Sequence, residues 1–408
     1  MNDMNRSVSP VEPVALAAVA EYDEEAILRA LNDAGDACHI FSGTLEGKKV
    51  VIKPNFVAKR SPDEAATVHP AVLGAVIRWL RAHGAGMITL AESPGGVYNA
   101  SRLRGIYSAT GAQAIAESHA VALNYDCSFA ETSAPEGRRC RLFDIITPIL
   151  EADVIVDICK LKTHALTGMS AAVKNMFGVV PGIVKFEMHS RYPDYDDFAE
   201  MLVDLCELLC RRAEFISVTD GIVAMEGNGP TAGTPRQLGA LLVSKNPFAS
   251  DVVSAHLIGR DDRITTVSLA AARGISPASF GDVQIVPVGI PSADALTPSD
   301  FALPDSVEKN GIERMRHLFG GRIYRLFSPY PIIDYAACVG CGECAASCPQ
   351  HTITMTERER AGSGARRSKA RRVPVIEHGD CIRCFCCQEL CPHGVVRIRK
   401  NPLTRWLS

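Results

Sequence analysis

Two runs near the C-terminus, "CVGCGECAASCP" from Cys338 and "CIRCFCCQELCP" from Cys381, share the spacing C-x2-C-x2-C-x3-C-P. Three thiolates two residues apart let one tight loop wrap three corners of a cubane. Pro349 and Pro392 then turn the chain away, because proline has no N–H to continue a helix or a ladder. Gly340, Gly342, Ala345 and Ala346 let the backbone approach the first site closely enough to donate to sulfur. Structural zinc prefers paired knuckles with four ligands per site. Two triads, each followed by a remote cysteine, suit iron–sulfur chemistry better. Cys386 falls out of register and reads as a bystander thiol.

This segment resembles the bacterial two-cluster ferredoxins in all eight ligand positions. In that run the fourth cysteine ligates the other cluster. The resemblance therefore implies two [4Fe–4S] clusters, one on Cys338, Cys341, Cys344 and Cys391 and one on Cys381, Cys384, Cys387 and Cys348. Between the triads, "TERERAGSGARRSKARRVP" places seven basic residues from Arg358 to Arg372. Such a run is either a solvated loop or a docking patch for an acidic electron donor or acceptor protein or for the first domain.

The remaining six of the 15 cysteines, Cys38, Cys127, Cys140, Cys159, Cys206 and Cys210, lack metal-ligand spacing and read as small hydrophobes. A chain of 408 residues with 47% apolar and 22% charged residues is an ordinary globular sequence. Its net charge of −3 argues against nucleic acid as a partner. No apolar run approaches the length of a membrane span, and "VALAAVAEYDEEAI" reads as strand then helix rather than a secretion signal. The cytoplasm is the expected compartment.

What must position chemistry in the rest of the chain is an alternation of short Val- and Ile-rich runs with helix-length amphipathic runs. That pattern predicts α/β architecture, a mainly parallel sheet covered by helices on both faces, with a small α+β ferredoxin-like domain following. The expected division is 1–290 for the α/β domain, 291–330 for a connector with a short helix, and 331–408 for the ferredoxin domain. Open parallel sheets bind ligands at the carboxyl ends of their strands. Polar residues at those predicted ends are Lys53, Asn55, Glu92, Ser93, Asp126, Lys160, Lys162, His164, Asp220, Lys245 and Asn246. Lys174, Asn175, Lys185 and His189 follow in "KLKTHALTGMSAAVKNMFGVVPG" and its continuation. In that segment Leu166, Met169, Val173 and Met176 recur at helical spacing, and so do His164, Gly168, Ala171 and Asn175. The expectation is a helix whose small polar face borders a small anionic substrate. His69 reads as a helix cap or a ligand, and Asp251 as a carboxylate early in a helix.

The stretches "VVIKPNFV", "TVHPAVLGAVIRWLRAHGA", "KLKTHALTGMSAAVKNMFGVVPG" and "DGIVAMEGNGPTAGTP" resemble the domain-of-unknown-function 362 family. The resemblance implies an iron–sulfur protein and supplies no catalytic residues. The residues themselves suggest a redox enzyme. Lys53, Asn55, Glu92, Lys160, Lys162, Lys174 and Asn175 would bind the substrate, and His164, His189 and Asp220 would serve proton transfer. Two alternatives stand beside it. One is an electron-transfer subunit whose first domain docks a partner. The other is a non-reductive metal enzyme using His69, His164 and His189.

Crossed ligation makes a specific prediction. Anaerobically reconstituted Cys348→Ala should lose the cluster of the second triad and keep that of the first, whereas Cys386→Ala should keep all iron. Selective loss of the first triad's spectrum in Cys348→Ala would contradict the crossing.

Overall fold

The computed structural model describes residues 6–261, 263–306, 328–358 and 371–400. The short helix expected within 307–327 and most of the basic insert, 359–370, lie outside the described residues.

Nine strands form one sheet: β1 (Val14–Ala18), β2 (Lys49–Pro54), β3 (Met87–Leu90), β4 (Ala122–Leu123), β7 (Val154–His164), β8 (Gly168–Ser170), β9 (Glu214–Glu226), β10 (Thr234–Ser244) and β11 (Ile285–Val288). Two more, β5 (Phe129–Ser133) and β6 (Leu142–Ile146), make a separate antiparallel hairpin. The main order is β11-β1-β10-β9-β7-β2-β3-β4, with β8 folded back on β7. All main-path pairings are parallel except those of β10 with β1 and β9. The expected mainly parallel sheet is therefore present.

Both faces are buried, and alternation along single strands shows it. Val50, Ile52, Val154 and Val156 pack with Trp79, Leu73 and Leu31, from the helices Pro70–Ala82 and Glu24–Ala37. Val51 and Ile155 point the other way, into a core with Leu202, Leu205 and Phe198 of the helix Tyr195–Arg212. Further along the sheet, Leu16, Leu161 and Leu242 meet Val252 and Val253 of the helix Pro247–Leu257. Because neither face is solvated, polar side chains can leave the core only at strand ends.

The segment expected to be helical after His164 is instead a tight hairpin. β7 runs eleven residues, reverses through Ala165–Thr167, and pairs back as β8 with Lys162 opposite Ser170. His164 Nδ1 accepts from the N–H groups of Leu166 and Thr167, at 3.1 and 3.3 Å, which stabilises the reversal. Gly168 has a φ of +72°, a conformation glycine adopts without a Cβ penalty. Only Ala172–Asn175 is α-helical, and its first N–H groups, those of Ala172 and Val173, donate to the buried Asp251 carboxylate. The helical spacing of apolar residues was thus a coincidence of a hairpin and a short turn, with Leu166, Val173 and Met176 in one core and Met169 in another.

The C-terminal domain is two copies of one unit. β12 (Tyr330–Ile333) pairs with β15 (Val396–Arg399), and β13 (Ile353–Arg358) with β14 (Arg371–Ile376). Each cysteine triad leads into a single helical turn, Glu343–Ala346 or Cys386–Glu389. The backbones of the two units match at left-handed positions: Gly340 with Arg383, Gly342 with Phe385, and His351 with Gly394, all with φ between 52 and 83°. A left-handed Arg or Phe is disfavoured, so the loop shape imposes this conformation even where glycine is absent.

Candidate functional site

The two domains meet through polar contacts. Arg60 donates to the Cys391 carbonyl at 2.7 Å, Thr231 to the Glu389 carbonyl at 2.9 Å, and Gln388 to the Asn228 carbonyl at 2.8 Å. Asn228 and Thr231 lie in the turn between β9 and β10. Ala165, Phe385 and Ile398 form a small apolar cluster across the same junction.

A cleft of about 70 Å³ opens at this junction, over the carboxyl ends of β2, β3 and β7. Lys53, Asn55, Glu92, Lys162, His164, Lys174, Asn175, Lys185 and His189 line it from the α/β domain, and Cys386, Glu389 and Leu390 from the ferredoxin domain. The structure therefore brings together most of the strand-end residues that the sequence suggested.

Their order comes from one hydrogen-bonded chain. Lys53 pairs with Glu92 at 2.8 Å, and Glu92 also accepts from the Phe56 N–H at 3.0 Å. Gly178 makes room for this pair, since a Cβ there would lie 2.4 Å from Lys53 Nζ. Lys162 donates to Asn55 at 2.7 Å and to the Ala66 carbonyl at 2.6 Å. Asn55 donates to Asn175 at 2.8 Å, and Asn175 to Asp157 at 2.6 Å. Lys185 donates to the Ser93 carbonyl.

Three polar groups on the cleft wall lack partners. Lys174 makes no hydrogen bond or ion pair among the described residues and lies 5.1 Å from the centre of the Phe177 ring. His164 Nε2 and Ser93 Oγ are buried without a hydrogen bond. The His164 tautomer follows from its other nitrogen. Nδ1 accepts two backbone N–H groups, so the proton sits on Nε2 and faces the cleft as a donor. Glu389 lies 3.8 Å from Nε2, but burial, with Lys174 and Lys162 nearby, holds the His164 pKa well below its ordinary value. The ring is neutral, and this contact is not an ion pair.

Burial dominates the electrostatics of the cleft. It lowers Lys162 and Lys185 to about 7 and also lowers Lys174. His189 falls to about 3, chiefly by burial, and its ring stacks on Phe198 at 4.3 Å. Asp157, wholly enclosed beneath Asn175, is pushed well up.

Several sequence-based assignments are corrected by placement. Lys160 and Asp220 do not line the cleft. They pair with each other at 2.9 Å, and Tyr22 bridges them, accepting from Lys160 at 2.6 Å and donating to Asp220 at 3.0 Å. A lysine and an aspartate wholly removed from water satisfy each other and have no charge left for a ligand. His69 caps the helix Pro70–Ala82, accepting from the Ala71 N–H, and stacks on Tyr22 at 3.7 Å. Gly168 and Ala171 are not on the cleft wall. Cys386, expected to be a bystander, is on it, as is Glu389. Their one sequence signal is a departure within the repeat, where Cys386 and Glu389 stand in place of Glu343 and Ala346.

The other eight cysteines of the C-terminal domain gather in two groups. Cys338, Cys341, Cys344 and Cys391 line one cavity, walled by Ile333, Val395 and Val396. Cys348, Cys381, Cys384 and Cys387 line a second, walled by Ile353, Ile376 and Phe385. Among the described residues no three His, Cys, Asp or Glu side chains are spaced for a single metal ion. Four thiols around an apolar cavity fit a cubane larger than one ion.

A sheet domain clasped to a cysteine-rich repeat by a basic cleft defines an iron–sulfur protein with an α/β partner domain. Residues 337–395 match the 4Fe-4S dicluster domain. Residues 50–256, half of the chain, match the family described as domain of unknown function (DUF362), and the chain belongs to that family. It is 29% identical over 268 residues to the thylakoid-associated protein sll1697 of Synechocystis sp., a match covering 63% of this chain and 80% of the relative. Among solved structures it is similar to the lactate racemase apoprotein of Thermoanaerobacterium thermosaccharolyticum, with 14% identity and a TM-score of 0.37. It also resembles a protein of Thermotoga maritima, with 14% identity and a TM-score of 0.30. The chain spans 60% and 56% of these two structures, and the matches cover 63% and 55% of its own length. No helix among the described residues is long and apolar enough to cross a membrane.

The depressed lysines set a sign for stability against pH. Folded Lys162 and Lys185 hold their protons only below about 7, whereas unfolded lysine holds them to about 10.5. The unfolded chain therefore binds more protons across that window, and folding becomes more favourable as pH rises through it. Each lysine contributes at most about 1.4 kcal/mol per pH unit. Chemical denaturation at pH 7 and pH 9 should show wild type gaining stability relative to Lys162→Met and Lys185→Met. Equal gains in all three would contradict the assignment.

Proposed function

We propose that this chain is an iron–sulfur oxidoreductase in which electrons from a donor protein pass through two [4Fe–4S] clusters to a small anion held in the interdomain cleft. The observation that carries the reading is the set of unpartnered polar groups, Lys174 Nζ, His164 Nε2–H and Ser93 Oγ, on a wall shared with a cysteine-bearing turn. Of these, His164 Nε2–H and Ser93 Oγ are buried, and buried donors without acceptors are costly; an anion would satisfy them together with the half-buried Lys174.

When bound, the clusters supply electrons singly, and two of them supply the pair that a two-electron reduction consumes. The chain's own residues do the rest. Lys174 and the His164 Nε2–H hold the anion, and Lys53, paired with Glu92 and held by Asn175, is fixed behind it without net charge. Asn55 and Asn175 lock the lysine positions. Proton delivery falls to Lys162 or Lys185, whose affinities lie near neutrality, rather than to the histidines. His189 is neutral and shapes the wall. The turn Cys386–Glu389 forms the cleft wall on the side of the second cysteine group.

The metal-enzyme alternative has less support. Of its three histidines, His69 caps a helix, His164 spends Nδ1 on two backbone N–H groups, and His189 is stacked.

The test is anaerobic reoxidation. Dithionite-reduced protein, freed of excess reductant, is mixed with a panel of small carboxylates and phosphate esters that carry a reducible carbonyl or carbon–carbon double bond as the electron acceptor, and the visible cluster absorbance is followed. At least one anion should reoxidise wild type. Lys174→Ala should need roughly 10- to 150-fold more of it, the equivalent of a lost charged hydrogen bond. Equal concentration dependence in the variant, or no oxidant in the panel, would refute the proposal.

A further inference from the structure

A groove of about 660 Å³ lies beside the cleft, also between the two domains. The helix Gly182–Arg191 runs along both spaces. Its Lys185 and His189, one turn apart, line the cleft, while Ile183, Glu187 and Ser190 line the groove. Phe186 stands on both walls, and so does Leu390 of the ferredoxin domain. A loop joins the two spaces as well. Ser93, Pro94 and Gly95 line the cleft, and the next two residues, Gly96 and Val97, line the groove. Leu390 packs directly on this loop, since a Cβ at Gly95 would lie 2.7 Å from its Cδ2.

The two spaces differ in size and chemistry. Sites for small organic ligands usually measure about 300–1,000 Å³, with mostly apolar walls and a few placed polar groups. The cleft, at about 70 Å³, has the placed polar groups without the volume. The groove has the volume and an apolar wall of Val97, Ile183, Phe186, Pro349 and Leu390. Val97 and Ile183 are each 52% exposed, so the folded chain alone does not cover this wall. Charged residues border it, among them Arg102, which lies 3.9 Å from Glu343. The Arg102 Nε is buried without a hydrogen bond. Cys348, one of the second group of four cysteines, also lines the groove.

We infer that cleft and groove form one site, and that its substrate is an amphipathic acid with its anionic head in the cleft and an apolar body of several carbons in the groove. This rests on the preceding reading that an anion occupies the cleft, and gives that anion a body. The body crosses from one space to the other beside Phe186 and Leu390, along the loop from Ser93 to Val97. Covering the exposed apolar wall supplies affinity that the head alone lacks, about two- to fourfold for each methylene removed from water. Cys348 borders the groove and the turn Cys386–Glu389 borders the cleft, so a molecule spanning both lies against the ferredoxin domain along its length.

Titration calorimetry on the anaerobic, cluster-loaded full chain tests this. Its probes are butanoate, hexanoate, octanoate, 4-phenylbutanoate and the uncharged octanamide. Octanoate or 4-phenylbutanoate should bind at least about tenfold tighter than butanoate. Val97→Asn and Ile183→Asn should each cut that gain severalfold and leave butanoate affinity unchanged. Both side chains are half-exposed, so neither change threatens the fold. Lys174→Ala should weaken every carboxylate by the same factor, because it acts on the head. Butanoate binding as tightly as both longer acids would overturn the amphipathic substrate while leaving the anion site standing. So would a gain that both Asn variants retain, since the body would then lie elsewhere. Failure of every carboxylate to bind, or octanamide matching octanoate, would instead overturn the anion reading itself.

Discussion

The constraint on which this architecture turns is the withdrawal of three lysine side chains, Lys53, Lys162 and Lys185, from water at one edge of a sheet, with Lys174 half-buried beside them. Ammonium groups are expensive to bury, and the fold compensates them unequally. Lys53 receives a carboxylate, Lys162 and Lys185 receive neutral acceptors, and Lys174 receives none. The surroundings follow from that arrangement. Gly178 leaves the space in which Lys53 and Glu92 meet. Asn175 and Asn55 hold the lysines at fixed separations. The buried Asp251 anchors the turn that carries Lys174. The cost is concentrated where a ligand would remove it, as expected of a site organised before binding.

The ferredoxin repeat shows how the second wall of that site arises. Both copies follow the same backbone path, down to matched left-handed residues. In the first copy these are glycines, Gly340 and Gly342, followed by the half-buried Glu343. In the second they are Arg383 and Phe385, followed by the buried Cys386. Phe385 packs against Ala165 beside the β7–β8 turn. Arg383 donates to the backbone of Ser328. The side chains that make the backbone conformation costly in the second copy are the ones that tie it to its surroundings. Asymmetry within the repeat, rather than the repeat itself, builds the junction.

Much of this was legible in the sequence, for physical reasons. Cysteine spacing is rigid because thiolates must reach a fixed object, and all eight ligand candidates fall into two cavities. Strand ends were legible because sheets buried on both faces force long apolar runs and release polar residues only at their edges. The hairpin at Ala165–Thr167 was not legible. Its residues repeat at helical spacing, and what decides against a helix is a side-chain contact, His164 Nδ1 with two backbone N–H groups, together with sheet pairing to Ser170. The partnering of Lys160 with Asp220 was also hidden, because it needs Tyr22 from 138 residues earlier. The place of Cys386 and Glu389 on the cleft wall escaped notice because their surroundings come from the other domain, which no local pattern encodes.

The central claim is proximity: an anion in the cleft sits beside the cluster of the second cysteine group. Pulsed electron–nuclear double resonance at phosphorus-31, on reduced protein saturated with inorganic phosphate, measures this directly. The account predicts a dipolar coupling between phosphorus and the reduced centre that survives in Cys386→Ser and disappears in Lys174→Ala at the same phosphate concentration. Saturable phosphate binding with no phosphorus coupling in wild type would contradict it, since the anion would then lie elsewhere.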